Sequence, residues 1–170
     1  MVNTFSNKDS DMSFINCNSF RIDMSKLYES VKSNGIKAVE FIRVKDNELL
    51  FVEAKKSLHN PQRDEKASKY FQEEIEQIRD KFIHSLNLFS SVKLGIREEV
   101  LPDDFFLPKN GNLVFVLVVK EHEIDRCKIT NAALIKSLNE AMPLYLENIW
   151  NPVIKVINHE IAIEENLVIN

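Results

Sequence analysis

The stretch KAVEFIRVKDNELLFVEAKKS, Lys37 to Ser57, decides how the chain is read. Two runs rich in β-branched and aromatic residues, about Ala38–Val44 and Glu48–Lys55, flank Lys45-Asp46-Asn47. Asp and Asn tolerate the backbone of a tight turn, so a hairpin is predicted. Side chains alternate along a strand, which puts Phe51, Glu53 and Lys55 on one side and Val52 and Ala54 on the other. On the partner strand Glu40 and Ile42 share a face, and the short turn brings Glu40 towards the Glu53–Lys55 end. Two carboxylates and one ammonium therefore meet at the end of the hairpin remote from its turn.

Outward from the hairpin, the pattern alternates. Upstream, Ser19–Ile22 reads as a short strand. A helix follows to about Asn34, capped by Asp23 or Ser25 and stopped at Gly35, with Met24, Leu27, Tyr28 and Val31 as its apolar stripe. Downstream, Ala67, Phe71, Ile75, Ile78, Phe82, Leu86 and Phe89 recur at steps of three and four and predict a long helix over about 63–93, ended near Gly95. Residues 96–111 carry two proline breaks and read as a loop. Asn112–Lys120 is apolar on both faces, as a central strand is. A helix over 130–147, capped by Thr130 or Asn131 and interrupted by Pro143, precedes a last strand at Pro152–Glu160 and a helical turn near 161–166. The expected class is α/β, a mixed central sheet with helices on both faces. Residues 1–18 read as a polar arm and 19–170 as one domain.

Two carboxylates on adjacent strands can share a hard divalent cation, and Mg²⁺ or Mn²⁺ suits an all-oxygen site to which the Ala54 carbonyl would add. A lysine beside such an ion is placed to orient a water or to offset charge developing on a phosphate. Those are the parts of metal-assisted phosphodiester cleavage. The alternative for Glu53–Lys55 is an exposed ion-paired strand end. For Glu40 it is an ordinary strand-initial glutamate.

The hairpin resembles the PD-(D/E)XK nuclease superfamily, which includes restriction endonucleases, Holliday-junction resolvases and RecB-type nuclease domains. The resemblance covers roughly residues 20–120 and implies a restriction-endonuclease-like αβββαβ core, here with an additional C-terminal helix and strand. It makes Glu40 and Glu53 the metal-binding acids and Lys55 the catalytic lysine. Glu stands where the motif has Asp, and Val39 where it has Pro. The family often adds an acid from the first helix, for which Glu29 is the candidate. At 100° per residue, Glu29 lies about 140° from Met24, away from the apolar stripe. It also adds polar residues from the following helix. Tyr70, Glu74, Gln77 and Lys81 form a row along one margin of the long helix, although the Gln-x-x-x-Tyr order of RecB-type domains is absent. The other reading of that row is a solvated boundary with Gln77 paired to Lys81. Lys55, Lys56, His59, Arg63, Lys66 and Lys69 cluster after the hairpin as candidate phosphate contacts, interrupted by Asp64 and Glu65.

Composition narrows the choice. A net charge of -4 and a pI near 5.6 argue against bulk electrostatic nucleic-acid binding. Local clusters or metal ions can offset such acidity. Three glycines leave no Walker loop or dinucleotide fingerprint. His59, His84, His122 and His159 lie in four separate elements, without zinc-ligand spacing. Cys17 and Cys127 form no C-x-x-C pattern, which fits a reducing cytoplasm. No signal-peptide h-region or membrane-length apolar run is present. The expectation is a cytoplasmic nuclease acting on nucleic acid, DNA first, as a homodimer or with a protein partner. The alternative is a catalytically inactive binding or regulatory subunit of the same fold.

Overall fold

The computed structural model describes residues 4–7, 10–102, 105, 110–120 and 129–169. Cys127, His122 and most of the charge-dense Lys120–Asp125 segment lie outside them. Two short strands, β1 (Thr4–Asn7) and β2 (Met12–Ile15), open the described chain. They pair antiparallel with each other, and β2 pairs with β8 (Val168–Ile169). Within the polar arm expected over 1–18, Thr4–Asn7 and Met12–Ile15 are strands, and Met12 and Phe14 are buried. Four residues are at the lower limit at which alternation marks a strand.

The main sheet has five strands in the order β3 (Ser19–Phe20), β4 (Phe41–Lys45), β5 (Glu48–Lys55), β6 (Asn112–Val119) and β7 (Val153–Asn158). The first three run antiparallel, and β5, β6 and β7 run parallel. The hairpin turn forms as read: Asp46 and Asn47 have φ of 48° and 64°, the left-handed pair that matches strand twist. Parallel neighbours need long crossovers. The helix α2 (Glu65–Lys93) links β5 to β6, capped by the Asp64 carboxylate accepting from the Ala67 N–H. The helices α3 (Asn131–Ala141) and α4 (Leu144–Trp150) link β6 to β7. Thr130 caps α3, and Pro143 divides the two, so the single helix expected over 130–147 is a pair. The first helix, α1 (Lys26–Val31), is capped by Ser25 and continues as a 3₁₀ turn to Gly35, whose φ of 78° ends it. It lies between β3 and β4. Met24 faces solvent at 70% exposure, not the core.

The two faces of the sheet are covered differently. On one, Phe51, Phe115 and Leu117 pack with the α2 stripe and with Leu134 and Leu138 of α3. The Phe82 ring stacks on Phe115 at 4.7 Å. On the other, Phe41, Val52, Ala54 and Val116 pack on Phe14 and Val168 of the small sheet and on Ala162 of α5 (His159–Glu164). Helices were expected on both faces, but the second is covered by the three-stranded ribbon and one short helix. Among the described residues no helix is long and apolar enough to cross a membrane.

Candidate active site

Three bonds tie the segment before β4 to α2. The Lys37 N–H donates to His84 Nδ1 at 3.1 Å, Lys37 Nζ donates to Asp80 at 3.0 Å, and the Val39 N–H donates to the buried Ser85 Oγ at 2.9 Å. Phe41 pairs with Val52, and the Glu40 N–H donates to the same Val52 carbonyl at 3.0 Å. Two consecutive residues against one is the geometry of a β-bulge, which re-aims side chains at the end of a strand. Glu40 therefore precedes β4 instead of lying within it. Glu53, paired with Leu117, enters the α2 side of the sheet and is completely buried.

Lys81 of α2 meets both acids. Its Nζ lies 2.7 and 2.9 Å from the two Glu53 oxygens and 3.7 Å from Glu40 Oε1. Lys55 Nζ lies 3.6 Å from Glu53 Oε1. The second Glu40 oxygen accepts from Asn7 Nδ2 of β1. The Asn7 Oδ1 accepts in turn from the Ser10 N–H at 2.8 Å and the Ser10 hydroxyl at 3.1 Å. Because only the amide oxygen can accept from an N–H, Ser10 fixes the NH₂ end of Asn7 towards Glu40. The structure brings Glu40 and Glu53 together at Lys81 and sets Lys55 against Glu53 alone, and Asn7 adds a hydrogen bond to Glu40. Lys81 is legible only as a member of the helix row, whose other reading pairs it with Gln77. No sequence signal pointed to Asn7.

The electrostatics follow from burial. Burial, reinforced by the Glu53 charge, pushes the Glu40 carboxyl up to about 7 against the pull of Lys81 and the Asn7 hydrogen bond. Burial also pushes Glu53 up, opposed by Lys81 and Lys55. Burial disfavours the Lys81 ammonium, but Glu53 and then Glu40 outweigh it and hold its proton above the usual lysine range. The Glu53–Lys81 contact is an ion pair, since a lysine in bidentate contact with a carboxylate keeps the shared proton. Lys81 and Lys55 are 24% and 28% exposed, so the amines form the mouth of the site and the acids its floor.

The remaining candidates sit elsewhere. Glu29 pairs with Lys32 on the surface of α1. Gln77 is exposed. Both Glu74 oxygens serve His59, one taking its N–H and one its Nδ1, each at 2.9 Å. Tyr70 packs on the His59 ring at 5.1 Å, with Lys66 Nζ 5.6 Å above the Tyr70 ring. Arg63 pairs with Asp64 and Lys69 with Glu73. Lys56 is exposed beyond the end of β5. The side chain of Ala54 is buried in the core on the opposite face. A polar cleft of about 390 Å³ lies between Leu58, His59, Arg63 and Glu74. An apolar cavity of about 410 Å³, lined by Leu49, Phe89, Leu113 and Trp150, lies at the other end of β5.

No protein-family model, curated protein or solved structure matches the chain. The site is left to speak through its chemistry. Among the described residues no group of three or more His, Cys, Asp or Glu gathers as a ready metal cage. The donor set is nevertheless hard and oxygen-only. Oxygens of Glu40 and Glu53 already converge on one cation, the Lys81 ammonium. That convergence fits a small divalent ion bound by two carboxylates, with backbone oxygen and water completing its shell.

Proposed function

We propose that the chain is a metal-dependent nuclease of restriction-endonuclease-like fold, hydrolysing nucleic-acid phosphodiesters, DNA first, with Mg²⁺ or Mn²⁺. The observation carrying this reading is that the acid just ahead of β4, Glu40, and the acid near the end of β5, Glu53, converge on a single cation position, with Lys55 beside Glu53. The sheet adds support: three antiparallel strands, then α2, then a strand parallel to the third. The helix α1 falls between the first and second of these strands, where an αβββαβ core has it ahead of all three.

Glu40 and Glu53 would hold the ion, and Ala54 would supply a carbonyl. Once bound, the ion supplies Lewis-acid polarisation and a more acidic water. Asn7 fixes the rotamer of Glu40, and the bulge at Glu40–Phe41 aims it. Lys55, partly exposed, reaches outward to a phosphate oxygen and offsets the charge that grows on it. The basic residues after β5, Lys56, Arg63, Lys66 and Lys69, stand apart from the acids and would contact flanking phosphates.

The test is cleavage of plasmid and single-stranded DNA in millimolar Mg²⁺ or Mn²⁺. Wild type should cut, whereas Glu53→Gln and chelator-treated protein should not. Cleavage that survives Glu53→Gln would overturn the assignment. A second reading, an inactive binding or regulatory subunit, is favoured by one observation: Glu53 is fully buried beneath Lys81. Retention of nucleic acid or a protein partner without cleavage at any metal concentration would select it.

A further inference from the structure

Lys81 holds the position where the acids converge, and the charges around it are balanced. With both acids ionised, Glu40, Glu53, Lys55 and Lys81 sum to zero. A divalent ion added with both lysines in place would leave two uncompensated positive charges above a buried floor, a costly arrangement at reduced dielectric. Neutrality is approached only if one ammonium leaves. Lys81 is the one in direct contact with both acids, at 2.7 and 3.7 Å, whereas Lys55 touches Glu53 alone at 3.6 Å. Lys81 can leave: it lies at the margin of α2, is 24% exposed and carries its charge on a flexible four-carbon stem.

We propose that Lys81 is a resident counter-ion which keeps Glu40 and Glu53 together and which must swing out to solvent for a divalent ion to be held there. This rests on the nuclease reading and deepens it. After the exchange, two acids, one divalent ion and Lys55 leave a single positive charge, the complement of one phosphodiester. The displaced ammonium stands at the mouth, where it can meet the same phosphate. Metal loading and phosphodiester binding therefore strengthen each other.

Two measurements test the exchange. The first is Mn²⁺ binding to the full chain, read from the electron paramagnetic resonance of free Mn²⁺. Lys81→Met should bind Mn²⁺ about tenfold or more tightly than wild type, a conservative figure for removing one like charge at this range. Combining it with Glu53→Gln should abolish that gain. The second uses wild type alone and needs no variant to fold: acylation of each lysine by an amine-reactive reagent, read by mass spectrometry. Lys81 labelling should rise severalfold when Mn²⁺ saturates the protein. Equal Mn²⁺ affinity in wild type and Lys81→Met, or Lys81 equally protected with and without saturating Mn²⁺, overturns the exchange and leaves the nuclease reading standing. If neither protein binds Mn²⁺, the nuclease reading falls and the exchange with it.

Discussion

On one side of β5, Leu50, Val52 and Ala54 run into an unbroken apolar layer with Phe14, Phe41 and Ala162. On the other, Phe51 packs on Phe89 and Phe115, and then the surface turns ionic at Glu53. Burial is equally complete at Val52 and Glu53. The difference lies in what each requires. Val52 gains from leaving water in proportion to its apolar area. Glu53 loses hydration worth several kcal/mol and recovers it only through Lys81, Lys55 and the surrounding geometry. An apolar pair would serve packing on the second face as well or better. The ionic end of β5 therefore brings no stability that an apolar pair would not.

The sharpest break of this comparison is Lys81→Ala. It strands a buried carboxylate with Lys55 alone at 3.6 Å, and the expected cost is about 3–5 kcal/mol in urea denaturation. Phe41→Ala on the apolar face should cost a similar amount through a cavity. The two losses differ in their repair. Glu53→Leu combined with Lys81→Leu should recover most of the stability while eliminating metal-dependent cleavage. No partner change on the ionic face should repair Phe41→Ala.

Glu40 gives the next largest effect and a pH signature. Its carboxyl titrates at about 7 in the fold against an ordinary 4.5, so the folded state holds the proton more tightly than the unfolded state does. Its contribution to stability is fully present below pH 4.5 and is lost as pH rises through 7. The loss approaches about 3 kcal/mol once Glu40 is fully ionised. Glu40→Gln imitates the protonated form. Measured by denaturant unfolding, it should match wild type near pH 4.5 and exceed it progressively towards pH 8. A constant difference across that range would place the titration elsewhere.

Ser85→Ala sharpens the contrast from the helix side. The hydroxyl accepts the Val39 N–H in a fully buried setting, and removing it leaves that donor orphaned. A loss of about 1–3 kcal/mol is expected, with faster amide exchange at Val39. Because Val39 precedes the bulge that aims Glu40, Mn²⁺ binding should weaken too.

The hairpin, the α2 stripe, the doubly apolar β6 and the Pro143 break were legible because each is written in consecutive residues. The small sheet was not. Phe14 faces Val168, and a four-residue strand whose partner lies at the other end of the chain leaves no local pattern. In the site, strand alternation and turn length were enough to bring Glu40 towards Glu53. Asn7 arrives from the unread ribbon. The row on α2 was legible as a row: Tyr70, Glu74, Gln77 and Lys81 share one margin of the helix. Periodicity fixes the angle around a helix axis but not the height at which the helix docks. At 1.5 Å per residue, four residues displace a side chain by about 6 Å, enough to separate a partner of Glu53 from a solvated residue.

The smallest prediction uses that height difference. Gln77 stands one turn before Lys81 on the same margin and is exposed. Gln77→Ala should change stability by no more than about 0.5 kcal/mol and leave Mn²⁺ binding and cleavage at wild-type levels. The ionic face would then be confined to one level of α2, opposite Glu53. If Gln77→Ala instead lowers cleavage as far as Glu53→Gln does, the reacting phosphate must lie lower along the helix, near the cleft between His59 and Glu74. Lys81 would then mark the rim of the site and not its centre.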